Sequence, residues 1–194
     1  LFLNTDVEII TESWPEEMLQ LCQQKDVGMV GAKLYYPDDT IQHAGVVVGL
    51  GGVAAHVLCK LPRDAEGYMG RLRCVQEISA VTAACMMVKT SVFKAVGGFD
   101  EELKVAFNDI DLCMKVRKYG VKIVFTPYAE LYHYESKSRG MEDTPEKQLR
   151  FSREVNCFRR KWERELLKGD PYYNPNLTLN NTDCSLRKQE KNGD

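Results

Sequence analysis

Short apolar runs closed by Gly, Pro, Asn or Asp alternate along the chain with stretches that are apolar on one helical face only. LFLN, Leu1 to Asn4, reads as a short buried strand ending in a polar turn. Ser13-Trp14-Pro15-Glu16 has the spacing of a capping box, and Met18, Leu21 and Cys22 supply an apolar face, which predicts a short helix. GMVGAKLYY reads as a strand, Pro37-Asp38-Asp39 as a turn, and AGVVVGL, from Ala44, as a strand running into Gly51-Gly52. Over residues 53–75 the periodicity is lost, which predicts a long loop holding His56, LPRD and EGYMGR. ISAVTAACMMV then reads as one or two buried strands, and TSVFKAVGG as a short helix ended by Gly97.

The C-terminal half is better punctuated. NDIDLCMKVRKYG predicts a helix capped by Asn108 or Asp109, with Lys115, Arg117 and Lys118 toward its end and Gly120 as its stop. VKIVF and AELYHYE read as two strands separated by Thr126-Pro127. Thr144-Pro145-Glu146 opens a long helix whose apolar stripe is Phe151, Val155, Phe158, Trp162 and Leu166. From Gly169 onward the chain is rich in Asn, Asp, Pro and charge, which predicts a peripheral or flexible tail over residues 169–194. Together the elements predict an α/β fold, a mixed sheet flanked by helices.

Composition narrows the function classes. With 44% apolar and 28% charged residues in 194, the chain is a globular domain with room for one sizeable core. A net charge of −2 gives no electrostatic case for nucleic acid as a partner. No apolar run is long enough to span a membrane, and no signal peptide is evident. The seven cysteines are scattered without a C-x-x-C pair, Cys85 and Cys113 fall in apolar patterns, and the expected compartment is the reducing cytoplasm.

Three polar constellations could carry chemistry. Asn4-Thr5-Asp6, after a buried strand, reads either as a turn or as an oxygen-ligand site for Mg2+ or Mn2+. Asn108-Asp109-Ile110-Asp111 reads either as helix capping or as a base held at a helix start. His133, leaving a strand ahead of Ser136, Ser138, Arg139 and Gly140, reads either as structural or as part of an anion- and metal-binding turn. His43 reads as a strand-edge residue, and Gly49 to Gly52 is not a dinucleotide fingerprint. The sequons at Asn176 and Asn180 have no meaning in a cytoplasmic chain.

In this order the motifs LFLNTDVE, SAVTAACMMVKTSVFKAVGGFDEEL, FNDIDLCMKVRKYG and TPYAELYHYESKSRG resemble glycosyltransferase family 2, enzymes of the GT-A type fold that use nucleotide sugars. The resemblance runs from Leu1 to about Asn176. It implies that Asp6 ends a D-x-D-like motif and binds a divalent metal, Mn2+ or Mg2+, that bridges the donor diphosphate, with Asn4 standing where the first Asp would be. It implies that Asp109 is the catalytic base, with Asn108 in place of the motif's Glu. His133 is then a metal or phosphate contact, Ser138 and Arg139 lie near the diphosphate, and Ala83 and Ala84 form the wall under the donor sugar. Phe99, Asp100, Asn108 and Asp111 fall on the acceptor side.

The implied reaction is inverting transfer from a nucleotide-sugar donor to a saccharide or lipid-linked acceptor hydroxyl in cell-surface polysaccharide synthesis. The resemblance also implies that residues 1–168 are the C-terminal part of the family's catalytic domain. The half that binds the nucleotide is then expected elsewhere, and this stretch alone is expected to be inactive. An exposed edge at Leu1 would invite pairing with a second copy. Two other classes stand beside this expectation: a non-catalytic module that keeps the acceptor surface, and a metal-dependent phosphohydrolase, for which the Asp–Lys set is not found.

Overall fold

A computed structural model describes residues 1–135 and 144–188. The strands are β1 (Phe2–Leu3), β2 (Val7–Ile9), β3 (Val27–Tyr35), β4 (Ile41–His43), β5 (Val46–Val48), β6 (Ala54–His56), β7 (Gln76–Glu77), β8 (Cys85–Val88) and β9 (Lys122–His133). The helices are α1 (Trp14–Cys22), α2 (Thr90–Ala95), α3 (Asn108–Tyr119), α4 (Pro145–Lys161) and α5 (Glu163–Lys168). The main sheet runs β1-β8-β3-β9-β2, with β4 added to β3 and β7 to β9, while β5 and β6 form a separate pair. Its strands are mixed in direction: β3 and β9 are parallel, and β8 is antiparallel to both β1 and β3. The mixed α/β architecture is the one the sequence predicts.

Side-chain alternation along β3 gives the sheet two covered faces. Val30, Ala32 and Leu34 point to one face, where Trp14, Met18 and Cys22 of α1 complete a core with Leu131. Met29 and Tyr35 belong to the other core, with Cys113, Met114 and Val116 of α3 and Phe158 of α4. The four-residue spacing of Trp14, Met18 and Cys22 is the buried stripe of a helix on a sheet.

Several local expectations are corrected by the tertiary structure. The Thr126-Pro127 break does not end a strand: residues Gly31 and Lys33 pair with Phe125 and Glu130, so β9 passes five positions while β3 passes two and absorbs the extra residues as a bulge. The loop over residues 53–75 contains β6 and a 3-10 segment, Tyr68–Arg73. Ser13 makes no side-chain cap on α1, and Phe107, not Asn108 or Asp109, occupies the cap position of α3. The long C-terminal helix breaks at Trp162, and Phe151 of its stripe is exposed, whereas Phe158 and Trp162 are buried. β1 lies at the sheet edge with Leu1 and Leu3 exposed, so its apolar residues are not the buried strand expected. Within the described part of the segment after Gly169, residues 170–188, Tyr173, Leu177 and Cys184 join the core around α3.

Gly31 sets how closely the segment leading into β8 approaches the sheet. A Cβ there would lie 2.3 Å from Val81 Cγ1 and 2.5 Å from its Cβ, so only glycine lets Val81 rest on β3. Gly31→Ala is expected to destabilise the fold by about 1–3 kcal/mol through overpacking. Val81→Gly in the same chain, which removes both clashing atoms, should recover part of that loss, because the two sites share one contact. Urea unfolding of both single variants and the double variant measures the coupling, and strictly additive losses would contradict it.

Candidate active site

The turn before β8 gathers the predicted site residues. Asn4, at the end of β1, donates its backbone N–H to the Ala84 carbonyl at 3.0 Å. The Ala83 N–H donates to Asp109 Oδ2 at 3.1 Å, and the Ile110 N–H donates to Asp109 Oδ1 at 2.8 Å. Asp109, half-buried in the first turn of α3, therefore has its carboxylate oriented by two peptide groups. Asn108 turns its Oδ1 back to the Asp109 N–H at 2.7 Å. Val81 meets α3 a second time, its N–H lying 3.4 Å from Cys113 Sγ.

On the other side of the turn is His133, at the end of β9. Gln42 Nε2 donates to the His133 carbonyl at 3.1 Å, which leaves Gln42 Oε1 facing His133 Nδ1 at 2.7 Å. An amide oxygen only accepts, so Nδ1 carries the proton and Nε2 keeps its lone pair. That lone pair accepts from Asn4 Nδ2 at 3.1 Å and lies 3.4 Å from Asp6 Oδ1. Burial pushes the His133 pKa below its ordinary value, against the opposing pull of Asp6 and Glu135. A carboxylate oxygen beside a neutral imidazole nitrogen, with the Asn4 amide next to them, is a donor set suited to a divalent cation.

All three histidines of the chain meet around Gln42. His56 Nδ1 donates to the Gln42 carbonyl at 3.0 Å, and the rings of His43 and His56 meet edge to face at 4.8 Å. His43 is fully buried on β4, a short strand that pairs with β3, and its Nε2 takes the Thr82 N–H at 3.5 Å. Burial first, then His56 and His133, holds its pKa well below 6.5. Gln42 and the histidine cluster were not identified from the sequence. The available signal was the strand pattern of Ile41-Gln42-His43, which sets Gln42 and His43 on opposite faces of one short strand.

The remaining predicted residues divide. Asp111 lies two positions beyond Asp109 on α3 and so on the far side of the helix. It is fully buried, accepts from Trp162 Nε1 at 2.8 Å, and pairs with Lys161 at 2.7 Å and Lys115 at 3.3 Å. Its acceptor-side role is thereby corrected: it anchors α4 and α5 to α3. Asp100 binds the same Lys161, and Phe99 packs its ring 5.0 Å from Phe2 of β1 and 5.8 Å from Phe93. Ser138 and Arg139 lie outside the described residues.

Comparison with known proteins gives a consistent picture. The family described as glycosyltransferase like family 2 has a model that matches residues 9–153, a stretch that holds Ala83, Ala84, Asp109 and His133 and begins just beyond Asp6. An uncharacterized protein, y4gI, of Sinorhizobium fredii is 57% identical over 95% of this chain and 20% of its own length. The O-antigen biosynthesis protein RfbC of Myxococcus xanthus is 40% identical over 100% of this chain and 15% of its own length. An N-acetylglucosaminyl-diphospho-decaprenol L-rhamnosyltransferase of Mycobacterium tuberculosis is 36% identical over 32% of this chain and 20% of its own. The aligned stretches thus span a fifth or less of the curated relatives they match.

The depressed pKa of His43 has a consequence for stability. Above pH 6.5 the ring is neutral whether the chain is folded or not. As pH falls below 6.5 the unfolded chain takes up a proton that buried His43 refuses, so the folded state loses ground by up to about 1.4 kcal/mol per pH unit. His43→Leu should remove this contribution and flatten the pH dependence of urea unfolding between about pH 7.5 and 5.5. Identical slopes for the two proteins would mean that His43 accepts the proton in place.

Proposed function

The chain belongs to glycosyltransferase family 2, and from that premise we propose that it supplies the metal and acceptor side of an inverting, nucleotide-sugar-dependent transferase of cell-surface polysaccharide synthesis. The observation that carries this reading is a single string of contacts: Asp6 to His133, His133 to Asn4, Asn4 to Ala84, and Ala83 to Asp109. It sets a candidate cation site and a candidate base on the two sides of one turn.

Asp6 and His133 would hold Mg2+ or Mn2+. Among the described residues no three His, Cys, Asp or Glu side chains form a metal cage. Two protein ligands suit cations that complete their shell with water and substrate phosphate. When bound, such a cation supplies Lewis-acid stabilisation of the charge that grows on the leaving diphosphate. Asp109 takes the proton of the acceptor hydroxyl as that oxygen bonds to the anomeric carbon from the face opposite the nucleotide. The bond from the anomeric carbon to the diphosphate breaks, and the electron pair departs with the nucleoside diphosphate, so configuration inverts. The small side chain of partly exposed Ala83 leaves room for the donor sugar against the turn, whereas the methyl of Ala84 is buried in the core against α1.

The relatives are much longer than this stretch, and we place the residues that hold the nucleotide's base and ribose outside it, so that these residues alone bind the donor weakly. All seven cysteines are free thiols, and the cytoplasm is the compartment we propose for the reaction. Among the described residues no helix is long and apolar enough to cross a membrane.

Two variants separate the roles. Asp109→Asn in the intact protein should lower the rate of transfer from UDP- or dTDP-sugars by about 10²–10⁴, the usual worth of a general base, with Mn2+ affinity unchanged. Normal turnover by that variant would falsify the assignment of the base. Gln42→Leu frees His133 to rotate and change tautomer, and is expected to weaken Mn2+ binding by about 10–100-fold in calorimetric titration. Asp6→Asn should weaken it as well. Unchanged Mn2+ affinity in both would remove the metal from this site.

A further inference from the structure

A cleft of about 960 Å3 opens between β3, the bulge of β9, the turn at Asp38 to Thr40 and the loop over residues 62–73. None of Asn4, Asp6, Ala83, Ala84, Asp109 or His133 lines it. Alternation along β9 turns Glu130 and Tyr132 to the face opposite Leu131 and His133, and Glu130 is one of the cleft's walls. The cleft therefore lies on the face away from His133, and Asp109 is not among its walls.

Lys33 is the unusual group in it. A lysine in the middle of a sheet strand is rarely buried, yet Lys33 is only 5% exposed and lies across from Glu130 in the β3–β9 register. Its ammonium has three N–H groups and gives one to the Leu72 carbonyl at 3.1 Å. Four carboxylates also line the cleft, those of Asp38, Asp39, Asp64 and Glu130, and among the described residues none of them bonds Lys33. Glu130 takes the Tyr35 hydroxyl and lies 3.4 Å from Arg63. Asp39 takes the Tyr132 hydroxyl and lies 3.5 Å from Arg63, while Asp38 is bound by Thr40. Burial pushes the Lys33 pKa down, partly offset by Glu130, and Arg73 and Arg63 push the same way as burial. The sheet thus holds a desolvated ammonium with donors to spare, between two guanidinium groups, at the wall of an open cleft.

Among the described residues those donors meet no oxygen acceptor, only the Tyr35 ring 5.4 Å away, and an anion that entered the cleft would supply one. Tyr128 stands at the same cleft with 54% of its surface exposed, next to Pro127, and offers an aromatic face of the kind a sugar ring packs against. We propose that this cleft is a saccharide-binding site for an anionic sugar, whose carboxylate or phosphate is taken by Lys33 together with Arg63 and Arg73 while its ring packs on Tyr128. The anion comes from the unspent donors. The choice of a saccharide to carry it rests on the polysaccharide role proposed above. The site itself is independent of the metal and of transfer.

Calorimetric titration of the intact protein with glucuronate and with glucose 1-phosphate, in EDTA to silence any metal site, tests the proposal. Methyl glucoside is the neutral control. At least one anionic sugar should bind at least about tenfold more tightly than the control, as charge-assisted hydrogen bonds predict. Preference for glucuronate identifies a carboxylate sugar, and preference for glucose 1-phosphate a phosphorylated one. Lys33→Met should weaken that binding by about tenfold or more, and Asp6→Asn should leave it unchanged. If Lys33→Met fails to fold, Arg73→Gln and Tyr128→Ala, at exposed side chains, take its place and should weaken binding in the same direction. Equal binding of neutral and anionic sugars, no binding below about 10 mM, or full affinity in the folded variants would overturn the proposal. Because the titration needs neither metal nor turnover, its failure leaves the transferase reading standing, and an inactive transferase leaves this result standing.

Discussion

The peptide groups of the turn Thr82 to Ala84 must find partners where little water reaches them, and the site is built from the partners they find. Asn4 serves Ala84, Asp109 serves Ala83, and His43 serves Thr82, so three elements distant in sequence converge on three consecutive residues. Cys113 adds a fourth tie through Val81, and Gly31 leaves the gap in β3 into which Val81 sinks. The turn is therefore fixed from below by packing and from its sides by hydrogen bonds. The proposed base and the proposed cation-binding pair beside it would inherit that rigidity, which is what chemistry at two neighbouring groups requires.

Buried charge does the equivalent work for α3. Glu154 of α4, 4% exposed, accepts the N–H groups of Lys104, Val105 and Ala106 at 2.8–3.1 Å, and so clamps the segment that leads into the helix. Immediately after it Phe107 is held at φ 62, a left-handed conformation that a bulky residue adopts only under constraint from its surroundings. Asp111 is then locked to Lys161, Lys115 and Trp162. Removing one member of such a group strands its buried partner, a loss of about 3–5 kcal/mol. Asp111 stands out in the sequence because it sits beside Asp109, whereas Glu154 does not, and the burial of both ties them to the packing of α3 and of the segment before it.

The two faces of the sheet edge are put to different uses. On one, His133 stands with Asn4 and Asp6, its tautomer set by Gln42. On the other, one strand position away, Tyr132 and Glu130 share the Arg63 and Tyr35 network beside Lys33. The bulge at Thr126 to Ala129 makes this possible, because it lets β9 re-enter the ladder in a register that sets Lys33 against Glu130 and Tyr35 against Tyr132.

The sequence by itself determined the α/β class, α1 and α3 to within a residue or two, β3, and the identity of Asp6, Asp109 and His133 as the groups worth placing. Those features are local: periodicity, turn residues and motif order act over a few neighbours, and the chain reports them directly. Only the tertiary structure decided which polar side chain meets which. The joining of VKIVF and AELYHYE into one strand, the burial of Lys33 and His43, the separation of Asp111 from Asp109, and the role of Gln42 all depend on register and on contacts between residues far apart in sequence. A hydrogen bond between Gln42 and His133 leaves no mark on either residue's neighbours. Whether a carboxylate is a base or an anchor is settled by what is packed around it, and that is a property of the folded chain.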